Sequence, residues 1–389
     1  MIGRKYPSEM KTLTDSKTGN KIIKLTGGDS NNYHMYFTEN SFNEGRREII
    51  FYSDRDSGKE YQYNLFSMNL DTGEMIQLTD VHSPISHCIK PKEGGRLFYF
   101  NDNKVIRLDI PSLEERVIYE SSPDFRLTSV SLNKSGTRIG IARNEDIKVI
   151  RGANYTGFTE AMYAVKRSII TVTGIDGSNP YDAFTDTHLM GHFQFAPDDD
   201  TIGTFCHEGP WNLVQQRIWI IDFMSRTVLP CMRQEADDSI GHEFWTRDGL
   251  IFFDNRRAGH DGTITSDKTQ VFKAPVDKKQ APYIGFADKS GKVIRTVEMS
   301  FYCNHYHANN DNTILVGDDV EDLQLINIAN VADAGSARMQ RLCFHGTSWY
   351  GQSTHCHPTF DWDGRFVLYT SDFGGKHNLY MIDTEQVKW

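Results

Sequence analysis

The chain has no CxxC pair among its six cysteines, Cys88, Cys206, Cys231, Cys303, Cys343 and Cys356. Thiols scattered in this way do not make the framework of a small oxidised domain, and they suit a reducing compartment. No apolar run approaches the roughly 20 residues that span a bilayer. The opening stretch, MIGRKYPSEMKTLTDSKTG, lacks both an apolar core and a cleavage site. A soluble, cytoplasmic protein with no membrane partner is expected. Basic residues are also in deficit, 42 Lys and Arg against 52 Asp and Glu, for a formal charge of −10. That balance argues against nucleic acid as the general partner, although an acidic protein can still hold a local cationic pocket.

What the chain does contain is a repeat. Histidine recurs in His87-CIKPKEGG, His192-FQFAPDD, His242-EFWTRDG, His305-YHANNDN and His357-PTFDWDG, each time before a turn and a hydrophobic strand. Ser129-VSLNKSG and Thr38-ENSFNEG share the phase without the histidine. Seven units therefore begin near 38, 87, 129, 192, 242, 305 and 357, at spacings of 49, 42, 63, 50, 63 and 52. With 14 His in 389 residues, random placement would put only about a quarter of a histidine in seven slots. Periods of this size with strand-turn-strand patterning predict an all-β fold, a seven-bladed β-propeller forming a single domain over 1–389. A hydrophobic content of 38% and 12% aromatics suit a core between stacked sheets.

The last unit supplies three strands and the chain then ends at Trp389, where a fourth is due. Asp15-SKTGNKIIKLT resembles Asp71-TGEMIQLT, the outer strand of the first unit. Residues near 20–26 are therefore expected to complete the C-terminal blade and close the ring without a free edge. The two spacings of 63 predict insertions around 151–185 and 257–298.

Gln352-x-x-His355-x-His357 is the sharpest local signal. Residues two apart on a strand share a side, so His355 and His357 are expected to grip one ion. Imidazoles with a neutral amide suit Mn²⁺, Ni²⁺, Co²⁺ or Zn²⁺ better than Ca²⁺. His305 occupies the same slot one unit earlier and is the natural third imidazole, with His307 as competitor. The bland reading of HxH is a strand fragment with hydrogen-bonded histidines. His242 is a general-base candidate because imidazole titrates near neutrality, against a buried histidine bonded to backbone. Arg217, on or just before the third strand of its blade, could clamp an anionic substrate, against a solvated arginine. His192 and His207 are substrate-binding candidates of the same kind. His87 fits a channel plug, and Asp54, Arg55, Asn255, Arg256 and Arg257 fit turn structure.

The ordered set His192, CHEGP (Cys206–Pro210), Arg217, GHEFW (Gly241–Trp245), CNH (Cys303–His305), QSTHCHPTF (Gln352–Phe360) and YTSDFGG (Tyr369–Gly375) resembles the oligogalacturonate lyases of polysaccharide lyase family 22. The resemblance covers nearly the whole chain. It implies a seven-bladed propeller that cleaves short pectic oligomers by β-elimination. By position it implies manganese on His305, Gln352, His355 and His357, with His242 as base and Arg217 at the substrate carboxylate. An acidic oligosaccharide is then the partner. Two other readings stand beside it. Tyr369-TSDFGGKHNLYMID also resembles repeats of the Tol translocation system and prolyl oligopeptidases, which would fit a non-catalytic interaction propeller. A lyase or isomerase for another uronate would share the site. Glycoside hydrolysis would usually call for two opposed carboxylates, whereas the recurring slots offer imidazoles.

Overall fold

The structure, a computed structural model, describes residues 2–150, 152, 156–256, 281–329, 331, 337–349 and 352–389, and the backbone alone of Gln352. Among the described residues it is almost wholly β, with one α-helix at Phe158–Ala164. Seven antiparallel sheets follow one another along the chain, making the seven-bladed β-propeller that the repeat predicts. The first four-strand set is Asn32–His34, Glu48–Ser53, Asn64–Asn69 and Met75–Gln77; the sixth is Tyr306–Ala308, Ile314–Asp318, Asp322–Asn327 and Arg338–Phe344. The chain folds into two compact units. One holds 1–102, 108–116 and 303–389, and the other holds 103–107 and 117–302.

Blade-on-blade packing explains why the second and third strands are buried along most of their length. Phe366–Ser371 is buried from Val367 onward rather than on alternate residues. Val367 and Tyr369 enter one cluster with Val316, Leu323 and Leu325 of the sixth blade, and Leu368 enters another with Ile49, Phe51 and Phe66 of the first. A strand covered on both faces reads as a continuous hydrophobic run. The same arrangement joins the third blade to the fourth, where Ile170 and Val172 meet Phe193 and Phe205.

The closing strand lies where the sequence predicts. Lys21–Lys24 pairs antiparallel with Asn378–Asp383, in the register Ile22↔Ile382, Ile23↔Met381 and Lys24↔Tyr380. This blade goes one strand further than expected. Lys11–Thr14 pairs outside Lys21–Lys24 and is exposed throughout. Lys5–Tyr6 adds a fifth strand to the first blade, beside Met75–Gln77. The expected insertions also shrink. Ser168–Gly174 and Tyr181–Asp186 are the third and fourth strands of the third blade, and Tyr283–Ala287 and Val293–Glu298 are those of the fifth. The extra material of the third blade is thus the stretch before Ser168 that carries the helix. Residues 257–280 of the other insertion, and Arg257, lie outside the described residues.

The strand pairing sets an energetic test. Ile22 is buried against Tyr380 and Ile382, so Ile22→Ala is expected to destabilise by about 3 kcal/mol, the usual cost of truncating a large buried aliphatic. Thr12→Ala, on the exposed outermost strand, is expected to change stability by less than about 0.5 kcal/mol. Urea midpoints of the two variants check the difference, and equal midpoints would refute the closing role.

Candidate functional site

Three imidazoles meet in the first unit. The ligand nitrogens of His305, His355 and His357 all lie within 4.8 Å of one another. Their ring centroids are 4.1 Å apart for His305–His357, 5.3 Å for His305–His355 and 6.1 Å for His355–His357. His307 is not part of the group; its Nδ1 accepts from the Phe360 amide at 3.2 Å. Gln352 begins a short 3₁₀ turn, Gln352–Thr354, immediately before His355; its side chain lies outside the described residues.

The route by which the histidines converge differs from expectation. His355 and His357 stand in the connection ahead of strand Thr359–Phe360, not on a strand. His357 has a left-handed φ of 49°. That conformation is uncommon for a residue with a Cβ and is sustained only by surrounding contacts. His34 supplies one: its Nε2–H donates to the His357 carbonyl at 2.6 Å, and Nδ1 therefore accepts from the Thr370 hydroxyl at 2.6 Å. Burial lowers the His34 pKa to about 4, opposed by that carbonyl bond, so the ring stays neutral. Cys356, between the two ligands, packs into the apolar cluster with Val316 and Phe360 and plays no part in the group.

Asp318 fixes the third ring. Its fully buried carboxylate accepts the His305 amide at 2.6 Å, the His305 Nδ1–H at 3.1 Å and the Cys356 amide at 3.2 Å. A carboxylate on Nδ1 leaves the Nε2 lone pair available, the usual outer-shell arrangement of a histidine ligand. Burial raises the Asp318 pKa to about 6, against the opposing effect of His355. Asn304 Nδ2 lies 3.0 Å from His355 Nδ1. Burial, followed by His305, His355 and His34, holds the His357 pKa well below its ordinary value. The group thus offers imidazole nitrogen donors beside Phe37 and Trp349, and it fits a borderline divalent transition metal.

The remaining predicted site residues lie in the second unit, His192 and His242 at β-bulges. The ladder register shifts between Gly191 and Gln194 and between Ile240 and Glu243, so His192 and His242 both fall where pairing is interrupted. A bulge re-aims a side chain and frees the backbone amide; that of His242 donates to Asp254. Arg256 donates to His242 Nδ1 at 3.1 Å, and its guanidinium carbon lies 3.2 Å from the centroid of Trp211 and 4.1 Å from that of Tyr302. Arg256 is therefore a partner of His242 as well as turn structure.

Arg217 is placed immediately before strand Ile218–Asp222, as predicted, but it is only 2% exposed. Its Nε donates to Glu243 at 3.1 Å and its NH1 to Glu208 at 3.4 Å. The same carboxylates flank His192, at 3.0 Å for Glu243 and 3.2 Å for Glu208. Two acids and two bases form one buried network. Burial tends to lower the His192 pKa, but Glu243 and Glu208 outweigh it and the net direction is upward. His207 is spent similarly: Nε2 meets Asp186 at 2.9 Å, Nδ1 accepts from Trp219 at 3.2 Å, and the ring stacks on His188.

His34, Asp318, Asn304, Glu208 and Glu243 carry no mark in the sequence that singles them out as histidines are singled out by phase. Asp318 has a structural counterpart in Asp254: one ends a second strand, the other lies one residue before the end of its own, and both accept the amide of the phased histidine. The two carboxylates stand 12 and 13 residues after their histidines.

The oligogalacturonate lyase family model matches residues 1–387. The chain belongs to the oligogalacturonate lyase family. Membership makes it a lyase of pectin-derived oligomers and sets aside the non-catalytic propeller. Over its whole length it is 26% identical to the oligogalacturonide lyase of Pectobacterium atrosepticum and 24% to the oligogalacturonate lyase of Dickeya dadantii, covering 99% of each. Among solved structures it is similar to an oligogalacturonate lyase in complex with manganese, with a TM-score of 0.83 and 23% identity over 98% of both chains. It is also similar to an oligogalacturonate lyase from Vibrio parahaemolyticus, with a TM-score of 0.84 and 24% identity over all of both chains. These likenesses show the fold. No helix among the described residues is long and apolar enough to cross a membrane.

The buried network predicts a pH dependence. Because the native pKa of His192 lies above its unfolded value of about 6.5, its stabilisation is fully present below that pH and is lost as pH rises through the native value. His192→Gln is expected to remove this decline and to cost about 3 kcal/mol near pH 6 by leaving two carboxylates on one arginine. Urea unfolding of both proteins between about pH 6 and 9 checks it; parallel curves would refute the assignment.

Proposed function

We propose that the protein cleaves digalacturonate and unsaturated digalacturonate by metal-assisted β-elimination, giving 5-keto-4-deoxyuronate-type products. The observation that carries this reading is the convergence of His305, His355 and His357 with Asp318 behind them. These imidazoles, with Gln352, are assigned as ligands of Mn²⁺, since one similar oligogalacturonate lyase structure is a complex with manganese; another divalent transition metal would suit the same donors. When bound, the ion would neutralise the substrate carboxylate and so acidify the neighbouring C5–H.

His242 is assigned as the base that takes the C5 proton as the C4–O bond breaks, the departing oxygen being protonated by water or another side chain. Arg256 donates to Nδ1, so the neutral ring carries its proton on Nε2, and proton uptake at Nδ1 requires Arg256 to yield. Arg217 is assigned to the substrate carboxylate. Its engaged state sets a condition: a substrate anion must replace Glu208, the partner at 3.4 Å, since Glu243 is fully buried. His192 and His207 are assigned supporting roles in substrate binding through Glu208 and Asp186. We further propose that 1–389 acts as a single propeller domain, in the cytoplasm, where the six buried thiols would persist.

Elimination places a C4=C5 double bond in conjugation with the carboxylate, so digalacturonate with Mn²⁺ should give rising ultraviolet absorbance, and hydrolysis none. Because the unsaturated end can rearrange to a keto form, products are checked by mass. Elemental analysis is expected to find about one transition metal per chain, lost in His355→Ala and His357→Ala; loss in His307→Ala but not His305→Ala would overturn the ligand set. His242→Asn is expected to retain the metal and lose roughly 10²–10⁴-fold in turnover. Metal binding without cleavage of any uronate oligomer would leave the fold standing and remove the function.

A further inference from the structure

A cavity of about 670 Å³ lies in the first unit with His357 among its lining residues. That volume falls in the range of small-ligand sites. One wall is aromatic: Tyr33 and Tyr63 meet edge to face at 5.3 Å and 87°, His377 lies 4.5 Å from Tyr33, and Tyr61 lies 6.4 Å from Tyr63. Tyr61 is 52% exposed and holds a left-handed φ of 64°, its amide donating to Asp54 at 3.0 Å. A large aromatic ring left exposed on a non-glycine left-handed residue is uncommon. Among the described lining residues the charged ones are Glu39 and Asp372, with no lysine or arginine.

We propose that this cavity is a subsite for the non-reacting hexuronate ring, held by its C–H face against the Tyr33, Tyr61 and Tyr63 wall and by its hydroxyls on Glu39 and Asp372. The proposal rests on the lyase reading and extends it to specificity. The C–H face of a pyranose presents weakly positive hydrogens to the negative face of an aromatic ring. The two carboxylates are hydroxyl acceptors and would repel a second carboxylate, so this ring must direct its own carboxylate out of the cavity. Burial raises the pKa values of the Tyr33 and Tyr63 hydroxyls, which pair with each other and leave one O–H of the pair for a sugar oxygen. Tyr61 is a specificity-determining residue, not a catalytic one.

Tyr61→Gly tests this without backbone strain, because glycine accepts the left-handed φ freely. It is expected to raise KM for digalacturonate about tenfold, with kcat and metal content within about twofold, while Tyr61→Phe restores KM; tenfold is the loss of one modest aromatic contact. Binding is followed in parallel by quenching of intrinsic fluorescence with digalacturonate in the absence of metal. If elimination proceeds and Tyr61→Gly leaves both KM and quenching unchanged, the subsite is wrong and the lyase reading stands. If no elimination occurs but quenching still depends on Tyr61, the reaction is wrong and the subsite stands. A fall in kcat accompanied by metal loss would also overturn the proposal, since Tyr61 would then be acting on the histidine group.

Discussion

One buried carboxylate holds the histidine group together. Asp318 receives the amide and the ring nitrogen of His305 from the sixth blade and the amide of Cys356 from the segment leading into the seventh. Three donors from two segments converge on a single residue with no exposed surface. Burial alone would drive it to protonate, and its raised pKa shows how strongly desolvation acts. Because an isolated buried charge is costly, the surrounding donors have little freedom to leave. The position of His305 relative to His355 and His357 follows from that constraint.

Elsewhere the same blade plan produces a different chemistry. In the fifth blade Asp254 again receives the amide of the phased histidine, but Arg256 stands beside it and donates to His242. Where the sixth blade offers a lone-pair donor oriented by an acid, the fifth offers a ring under the influence of a cation. The fourth blade goes further: its Glu208, together with Glu243 of the fifth, balances Arg217 and His192. Bulges and left-handed residues at these slots, His192 and His357 among them, take side chains out of the regular alternation of a strand. A repeated scaffold thus carries unlike groups without changing its sheets.

Much of this was legible from one sequence because propeller blades repeat. Each blade must bury both faces of its central strands, so the hydrophobic runs, the turns and the slot between them recur at a common spacing. The N-terminal strand was legible for the same reason: Lys21–Lys24 has the pattern of an outer strand, and Asn378–Asp383 would otherwise be an open edge. Lys11–Thr14 was not legible, since an exposed strand carries no burial pattern. The insertions were overestimated because spacing counts residues without distinguishing strand from excursion.

The identities of the imidazoles, their phase and the number of blades were determined by the sequence itself, because periodic burial leaves a periodic record. Which atoms face one another was decided only by tertiary structure. His355 and His357 converge through a left-handed residue braced by His34, not by the two-residue alternation of a strand. Arg217 lies where the chain order predicts, one residue before its strand, yet its charge is already met by Glu208 and Glu243. These carboxylates are nine and 26 residues away in sequence, and no local pattern records them. Electrostatic pairing depends on distance and burial in three dimensions, so the chemistry of a charged residue is not written in its spacing.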